Sequence, residues 1–333
     1  MITILARAGK AVALMNKMYP AVVGEDVTND AASLEETYRR LFDLVPRFQR
    51  RTAIRELSGG LTNRNLAVET PSGKYVARVS SNSSLLLAID RDAEYANSKI
   101  AAASGIGAPV YDYLPEHGLL VIGYLDGRTY GPTDVANNLQ RIAESCRALH
   151  SAAPFVSDFN MFDIQRSYLA TIQESGFRLP DDYLKYMPQV QKMFDALQVL
   201  DEGTVPCNND LLPANFIDNG DKIWIIDYEY SGNNDACFEL GNIWSEAALD
   251  YEYLRVLVDA YYGRFRPEKL ARAWFLALLA KYGWTLWASI QSSISSFDFD
   301  FWAWGQEKYE RARSDFESPR FATMLEQVTV RTS

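Results

Sequence analysis

The stretch from residue 206 to residue 242 constrains this chain more than any other, because it sets the spacing of three polar residues. Asp210 precedes Asn215 by five positions, and Asp227 follows Asn215 by twelve. Asp227 comes directly after an apolar run of Ile, Trp, Ile and Ile at 223–226. A carboxylate, an amide and a second carboxylate therefore stand around one short strand pattern.

The residues around this run are patterned as a β-hairpin. Residues 214–217 and 222–226 are typical of short strands, and an Asp-Asn-Gly-Asp turn at 218–221 separates them. The pattern predicts that Asp227 leaves the second strand facing Asn215 across the ribbon. Asp and Asn are also common in ordinary turns, so a plain hairpin with solvated acids has the same pattern.

Composition narrows the class of protein. The chain has 333 residues, 48% of them apolar and 23% charged, which suits a globular protein large enough for two lobes. A net charge of −10 argues against a partner that is nucleic acid or an anionic membrane. With only two histidines, a His-rich metal site and a Ser-His-Asp hydrolase are disfavoured. No apolar run reaches the roughly 18–20 residues of a membrane span.

The cysteines and the N-terminal residues indicate the cellular compartment in which the protein is expected. Cys146, Cys207 and Cys237 show neither a metal-binding spacing nor a disulfide pattern, which predicts reduced thiols in the cytoplasm. In residues 1–21 the apolar stretches are broken by basic residues. We therefore expect a helix or an extension there rather than a signal peptide.

The order of strand and helix patterns predicts an α+β protein with two lobes. The chain becomes mainly helical after a boundary near 124–127. We expect a helical extension at 1–50, an N-terminal lobe at 51–124 and a C-terminal lobe at 125–333. The patterns before the boundary are an amphipathic helix at 34–44, strands at 51–57, 64–70, 74–79, 108–114 and 119–124, and an Ala-rich helix at 90–104.

A glycine-rich loop lies between the first two strand patterns. It contains Gly59, Gly60, Thr62 and Asn63. Glycines in such a loop allow backbone N–H groups to approach phosphate oxygens, because no Cβ is in the way. An ordinary glycine hairpin would show the same spacing.

The segment 206–230 resembles the catalytic core of the choline/ethanolamine kinases and aminoglycoside phosphotransferases, which are small-molecule kinases. In those proteins the motif reads H-x-D-x4-N, and a later strand ends in I-D-[WFY]-E-[YF]. Asp210, Asn215 and the stretch 226–230 match this motif. Asn208 departs from it, because the family usually has His at this position. An amide can supply similar hydrogen bonds.

The resemblance extends over residues 51–316 and implies a protein-kinase-like fold. This fold has an antiparallel sheet with one main helix in its N-terminal lobe and a mostly helical C-terminal lobe. The resemblance also implies ATP and Mg²⁺ as cofactors, with Asp210 as general base and with Asn215 and Asp227 as metal ligands. Glu229 is implied to assist through a metal-bound water or to brace the loop.

The nucleotide side is implied by the same resemblance. Arg78 lies on the third strand pattern, where a cation would hold the α- and β-phosphates, and Glu94 of the following helix would orient it. Solvated surface charges would give the same sequence pattern. Backbone groups of the hinge from Ile122 to Tyr124 are implied to receive adenine.

Aromatic residues cluster in the C-terminal half. Trp284, Trp287 and Gln291 lie at i, i+3 and i+7, on one face of a predicted helix. Aromatic residues at helical spacing usually belong to a core. The resemblance to choline kinases implies instead a cage that holds a trimethylammonium group by aromatic faces and a carboxylate. The implied substrate-binding residues, apart from Glu229, are Glu246, Tyr251, Trp284, Trp287, Phe299 and Trp304.

These features predict an ATP- and Mg²⁺-dependent kinase that phosphorylates the hydroxyl of a small amino alcohol, with choline as the first candidate. Ethanolamine, a methylated ethanolamine and an aminoglycoside are alternative acceptors. A pseudokinase that binds a nucleotide or an amine without turnover is a further alternative, favoured by Asn208. A protein kinase is disfavoured, because no activation segment is recognisable between Asp227 and Asn242. The oligomeric state stays open.

Overall fold

The computed structural model describes residues 31–58, 60–80 and 86–331. The predicted extension at 1–30 and Gly59 of the glycine loop lie outside the described residues. The described chain forms two lobes, the first built on a sheet and the second mainly on helices.

A five-stranded antiparallel sheet forms the first lobe, with the strand order β1-β2-β3-β5-β4. Strand β5 lies between two neighbours and consists of apolar residues and one glycine, as expected for a strand covered on both sides. The strands are β1 (Ala53–Leu57), β2 (Asn63–Thr70), β3 (Gly73–Ser80), β4 (Val110–Leu114) and β5 (Leu119–Gly123).

Helix α1 (Ala31–Phe42) packs on one side of this sheet. Its buried residues Leu34, Tyr38 and Phe42 recur every fourth position, so they lie on one helical face. They share a hydrophobic cluster with Phe48 and with apolar residues of the sheet. The described part of the N-terminal segment is therefore part of the core of the first lobe.

Helix α2 (Arg91–Ala103) is the main helix of the first lobe. It begins at Asp90, whose side chain accepts hydrogen bonds from the backbone N–H groups of Asp92 and Ala93. It ends before Gly105, which adopts a left-handed conformation with a φ of 79°. This helix carries Glu94 into the space between the lobes, where its side chain is buried.

Helix α9 is the centre of the second lobe. It has 28 residues, and nearly all of its first 25 are buried because other helices surround it. Close packing is possible because Gly241 and Gly305 stand where neighbouring helices touch it; a Cβ on Gly241 would lie 2.2 Å from the Ala273 carbonyl oxygen. The helices of this lobe are α3 (Pro132–Asn137), α4 (Leu139–His150), α5 (Met161–Ser175), α6 (Met187–Val199), α7 (Ala236–Glu246), α8 (Tyr251–Tyr262), α9 (Pro267–Ile294), α10 (Phe301–Phe316) and α11 (Arg320–Val328).

Short strands on the second lobe hold the polar motif. The hairpin of β8 and β9 confirms the predicted turn, and β6 joins it as a third strand. Strand β7 pairs with β10, so the loop that follows β7 is held near the segment that follows β9. These strands are β6 (Arg128–Thr129), β7 (Val205–Cys207), β8 (Phe216–Asp218), β9 (Ile223–Ile225) and β10 (Gly232–Asn234).

The predicted fold class is confirmed: the protein is α+β and two-lobed, with the antiparallel sheet in the first lobe and helices dominating the second. Within the described residues, no helix has the length and apolar character required to cross a bilayer.

Candidate active site

The loop after β7 is held by one buried carboxylate. Glu239 of α7 is fully buried and accepts the backbone N–H groups of Asn208 and Asn209, each at 2.8 Å. Asn209 adopts a left-handed conformation with a φ of 68°, which Asn tolerates better than most residues. These bonds set the path of the chain immediately before Asp210.

Asn208 joins this loop to the strand that carries Asp227. Its Nδ2 donates to the carbonyl oxygens of Ile226 at 3.1 Å and Asp227 at 2.8 Å. Its Oδ1 accepts the backbone N–H of Asp210 at 3.1 Å. Asn208, which stands where the resemblance has His, thus braces the two acidic residues against each other.

Asn215 and Asp227 are neighbours across the ribbon, as the spacing predicted. The backbone N–H of Ile226 donates to the Asn215 carbonyl oxygen at 3.0 Å. The Asn215 Nδ2 donates a hydrogen bond to the Asp210 carbonyl oxygen at 2.6 Å. The Oδ1 of the same side chain is therefore the atom left to ligate a metal ion. Asp227 itself is left-handed, with a φ of 65°. Amide and carboxylate oxygens are among the ligands that Mg²⁺ takes in proteins, and Asn215 and Asp227 both line one cleft.

Arg78 meets three carboxylates at this point. Its Nη2 lies 2.7 Å from Asp227, 3.2 Å from Glu94 and 3.7 Å from Glu229. Burial lowers the pKa of Arg78, but the three negative charges outweigh this effect and hold the pKa above its ordinary value. The buried Nε has no hydrogen-bond partner among the described residues.

The glycine loop is tied to the second lobe through Glu229. Thr62 Oγ1 and Asn63 Nδ2 each donate to this carboxylate at 2.8 Å. A Cβ on Gly60 would lie 2.3 Å from the Asn63 carbonyl oxygen, so only glycine fits this tight turn. Gln291 Nε2 also donates to the Leu61 carbonyl oxygen at 3.2 Å. The loop therefore closes over the acidic residues and contacts α9.

An aromatic wall lies beside Asp210 in one cleft. Trp284, Trp287 and Trp304 line this cleft, and the rings of Trp287 and Trp304 meet at 66° with 5.5 Å between their centroids. Trp287 Nε1 donates to the Tyr230 hydroxyl at 2.8 Å, which orients the indole. The three tryptophans come together because α10 packs closely against α9, with Gly305 of α10 facing Ala288 of α9.

Asp210 has the environment of a proton acceptor. Burial raises the pKa of its carboxyl well above the usual range, and the charges of Asp227, Glu229 and Glu246 add to the increase. A carboxylate with a raised pKa accepts a proton more readily at neutral pH.

A family model for choline/ethanolamine kinases matches residues 54–262. The matched range contains the sheet of the first lobe, the loop at Asp210 and the ribbon at Asp227. The chain belongs to the choline/ethanolamine kinase family. This finding confirms the resemblance read from the sequence.

Individual members of this kinase family agree with the match. Protein LicA of Haemophilus influenzae is 29% identical over 215 residues, which are 61% of this chain and 61% of that protein. The chain thus spans less than two thirds of the length of this relative. Mouse ethanolamine kinase 1 is 27% identical over 297 residues, covering 76% of this chain and 80% of that protein.

Solved structures of the kinase family share the fold. A choline/ethanolamine kinase family protein from Mesorhizobium loti superposes with a TM-score of 0.78 at 27% identity, covering 89% of this chain and 99% of that one. Choline kinase LicA from Streptococcus pneumoniae superposes with a TM-score of 0.70 at 22% identity, covering 86% and 99% of the two chains. The second likeness shows the fold alone.

One cation of this kinase-family site was overlooked in the sequence. Arg91 Nη1 lies 2.6 Å from Glu94 and 3.2 Å from Glu229. Arg78 and Arg91 therefore share these two acids. The position of Arg91, three residues before Glu94, was the signal available in the sequence.

Some backbone groups of the predicted hinge are already paired within the sheet, and the adenine contact stays a prediction. The backbone N–H of Tyr124 donates to the Lys74 carbonyl oxygen at 3.2 Å, so it is already used within the sheet. Ile122 is paired with Val76 on one side and Val110 on the other. Any adenine contact at this hinge must therefore use backbone groups other than the Tyr124 N–H.

Two predicted cage residues lie away from the cleft. Tyr251 lines a separate surface groove, where the Arg320 guanidinium lies 3.9 Å from its ring centroid. Phe299 does not line the cleft but contacts Phe301, whose ring lies 5.7 Å from that of Trp287. Neither residue lines the cleft directly, because the direction of a side chain at the start of a helix or in a loop depends on packing, and their role in substrate binding stays a prediction. Glu229 likewise contacts the glycine loop and the arginines, which favours its bracing role.

The structure adds Lys308 to the cleft. Its Nζ donates to both oxygens of Glu246 at 2.6 Å and lies 4.2 Å from the Trp304 ring centroid. The predicted Glu246 and Trp304 do line the cleft, but they meet through this lysine. Lys308 and Trp304 are one helical turn apart, which was a signal that the sequence reading did not use.

Proposed function

We propose that the protein transfers the γ-phosphoryl group of ATP to the hydroxyl of a small amino alcohol, with choline as the first candidate. The observation that carries this proposal is a single cleft lined by Asp210, Asp227 and three tryptophans. A proton acceptor, a metal ligand and aromatic faces suited to an ammonium group are thereby in reach of one small molecule.

Asp210 has the role of general base. The acceptor oxygen attacks the γ-phosphorus, the bond from this phosphorus to the bridging oxygen breaks, and the hydroxyl proton passes to the Asp210 carboxylate. Asn208 and Glu239 hold this carboxylate in place through the loop backbone. Positioning and electrostatics, rather than covalent chemistry by the protein, then supply most of the rate acceleration.

Asn215 and Asp227 are the residues that would hold Mg²⁺. Bound there, the ion would neutralise charge on the phosphate oxygens. Arg78 supplies a fixed positive charge beside Asp227. Gly60 permits the tight turn of the loop, and a loop without a Cβ at this position would let backbone N–H groups approach the phosphates.

Ethanolamine is the second candidate acceptor, and one contact favours it. Glu246 accepts two hydrogen bonds from the primary ammonium of Lys308 inside the cleft. An ethanolamine ammonium can donate in the same way, whereas the trimethylammonium of choline cannot. The aromatic faces favour choline, whereas Glu246 favours ethanolamine, and both groups line the same cleft.

The pseudokinase alternative rested on Asn208. The hydrogen bonds of this amide supply the bracing expected of the usual His, which supports turnover. We also propose a reducing compartment such as the cytoplasm, since Cys146, Cys207 and Cys237 are buried free thiols.

The test is ADP release by the purified protein with Mg-ATP and a panel of choline, ethanolamine and aminoglycosides. We expect turnover with an amino alcohol and its near loss in Asp210→Ala. Turnover with aminoglycosides alone would retain the kinase and discard the ammonium pocket. Binding of Mg-ATP without turnover of any acceptor would contradict the proposal and support a pseudokinase.

A further inference from the structure

The cleft contains an ammonium group that belongs to the protein. Lys308 of α10 is only 2% exposed, and Glu246 at the end of α7 is 5% exposed. The Lys308 Nζ lies 2.6 Å from each Glu246 oxygen and 4.2 Å from the Trp304 ring centroid. A carboxylate and an aromatic face thus surround this ammonium, which is the environment expected for the ammonium of an amino alcohol.

We propose that Lys308 is a specificity-determining residue, a tethered ammonium that competes with cationic acceptors for Glu246 and Trp304. This inference rests on the proposed function, because it concerns the acceptor half of the same cleft. Both oxygens of Glu246 already accept a hydrogen bond from Lys308, so the negative charge that an incoming cation would pair with is already balanced by the lysine. The cation must displace the lysine or bind beside a like charge.

Displacement is mechanically simple for lysine. Its four-carbon stem has several rotatable bonds, so the ammonium can withdraw while α10 stays in place. An acceptor ammonium would then restore the charge balance at the buried Glu246. The free-energy cost of displacing Lys308 is the same for every cationic acceptor, because it concerns only the contacts that the lysine itself loses. Removal of the lysine should therefore lower the KM for choline and the KM for ethanolamine by a similar factor.

An uncharged acceptor separates competition from a purely steric effect. The tert-butyl analogue of choline, in which carbon replaces nitrogen, has the shape of choline without its charge. It neither repels Lys308 electrostatically nor pairs with Glu246. We therefore expect its KM to change little when the charge at position 308 is removed.

The experiment compares wild type with Lys308→Met and Lys308→Gln at saturating Mg-ATP. Gln keeps a hydrogen-bond donor for Glu246 and removes the charge, so it remains informative if Met impairs folding. We expect the KM for choline and for ethanolamine to fall about tenfold in both variants, equivalent to about 1.4 kcal/mol. The KM for ATP and the KM for the tert-butyl analogue should stay close to wild type.

Lys281 provides a matched control. It is a buried lysine that pairs with Asp315 and lies 5.4 Å from the Trp244 ring centroid, but it does not line the cleft. Lys281→Met should lower the melting temperature without lowering the KM for choline. A fall in KM in this variant as well would point to general loosening of the lobe and would overturn the inference.

Other outcomes also decide the matter. An unchanged or higher KM for choline in both Lys308 variants would show that Lys308 only anchors Glu246. An equal fall for choline and its uncharged analogue would show a steric effect. If wild type turns over no acceptor, the proposed function fails, and calorimetric titration with choline tests the inference alone. Tighter choline binding by Lys308→Gln than by wild type would then support it, and equal binding would overturn it.

Discussion

Asn208 offers the sharpest test of how this site is held together. Its side chain is fully buried and makes three hydrogen bonds, to the carbonyls of Ile226 and Asp227 and from the N–H of Asp210. Asn208→Ala removes all three. At about 1 kcal/mol each, the loss should lower the free energy of unfolding by about 3 kcal/mol.

The effect on turnover should exceed the effect expected from stability alone. Without the amide, the backbone of Asp210 loses its link to the segment that carries Asp227. A displacement of about 1 Å in a reacting group can cost about 100-fold in rate, so we expect kcat to fall by about this factor. The assay is steady-state ADP release at saturating substrates, with chemical denaturation on the same samples. Asn208→Asp is nearly isosteric and removes only the two donor bonds, so it should show a substantial part of the loss.

Asn97 is the matched control. It is another fully buried amide, which donates to the Ser231 carbonyl and hydroxyl at 3.1 Å and accepts the Val156 N–H at 2.9 Å. Asn97→Ala should lose a similar amount of stability, again about 3 kcal/mol, but retain most of kcat. Wild-type kcat in Asn208→Ala, or an equal loss of kcat in both variants, would refute the bracing role.

Three further predictions concern the metal, the aromatic wall and Asp218, the carboxylate at the end of β8. Asp227→Ala should lower kcat about 10²–10³-fold or more, and chelation of Mg²⁺ should abolish turnover of wild type; activity that persists with chelator would contradict the metal role. Trp287→Leu should raise the KM for choline about 2- to 30-fold, because a cation–π contact contributes about 0.5–2 kcal/mol, whereas an unchanged KM would exclude this ring from binding. The hydrogen bond from Arg141 holds the pKa of Asp218 below its ordinary value. Asp218 therefore stabilises the fold above about pH 4, and thermal unfolding should show the deficit of Asp218→Asn shrinking as the pH falls below that value.

Local patterns predicted the parts of the site that are close in sequence. The turn residues at 218–221 and the flanking apolar runs predicted the hairpin, which places Asn215 opposite Ile226, the residue before Asp227. The roles assigned to these residues stay predictions. The spacing of Trp284 and Trp287 likewise predicted a shared helical face, and both line the cleft.

Predictions that depended on how a distant element approaches the site were less accurate. Tyr251 begins α8 and faces Arg320 in another groove, and Phe299 lies one ring away from the cleft. The direction of a side chain at the start of a helix or in a loop depends on packing, which no local pattern encodes. The Tyr124 N–H was unavailable for a similar reason, since the neighbouring strand already uses it.

The sequence by itself determined the α+β order of the elements, the family, and the polar residue types of the loop after β7, because these depend on short-range periodicity and spacing. Only the tertiary structure decided which charges meet. Arg78 reaches Asp227 across 149 residues, and Lys308 reaches Glu246 across 62. Such pairs form because helices and lobes bury their polar ends against each other, where every charge must find a partner. The pairing of Lys308 with Glu246 in the cleft therefore depends on how α10 packs near the end of α7.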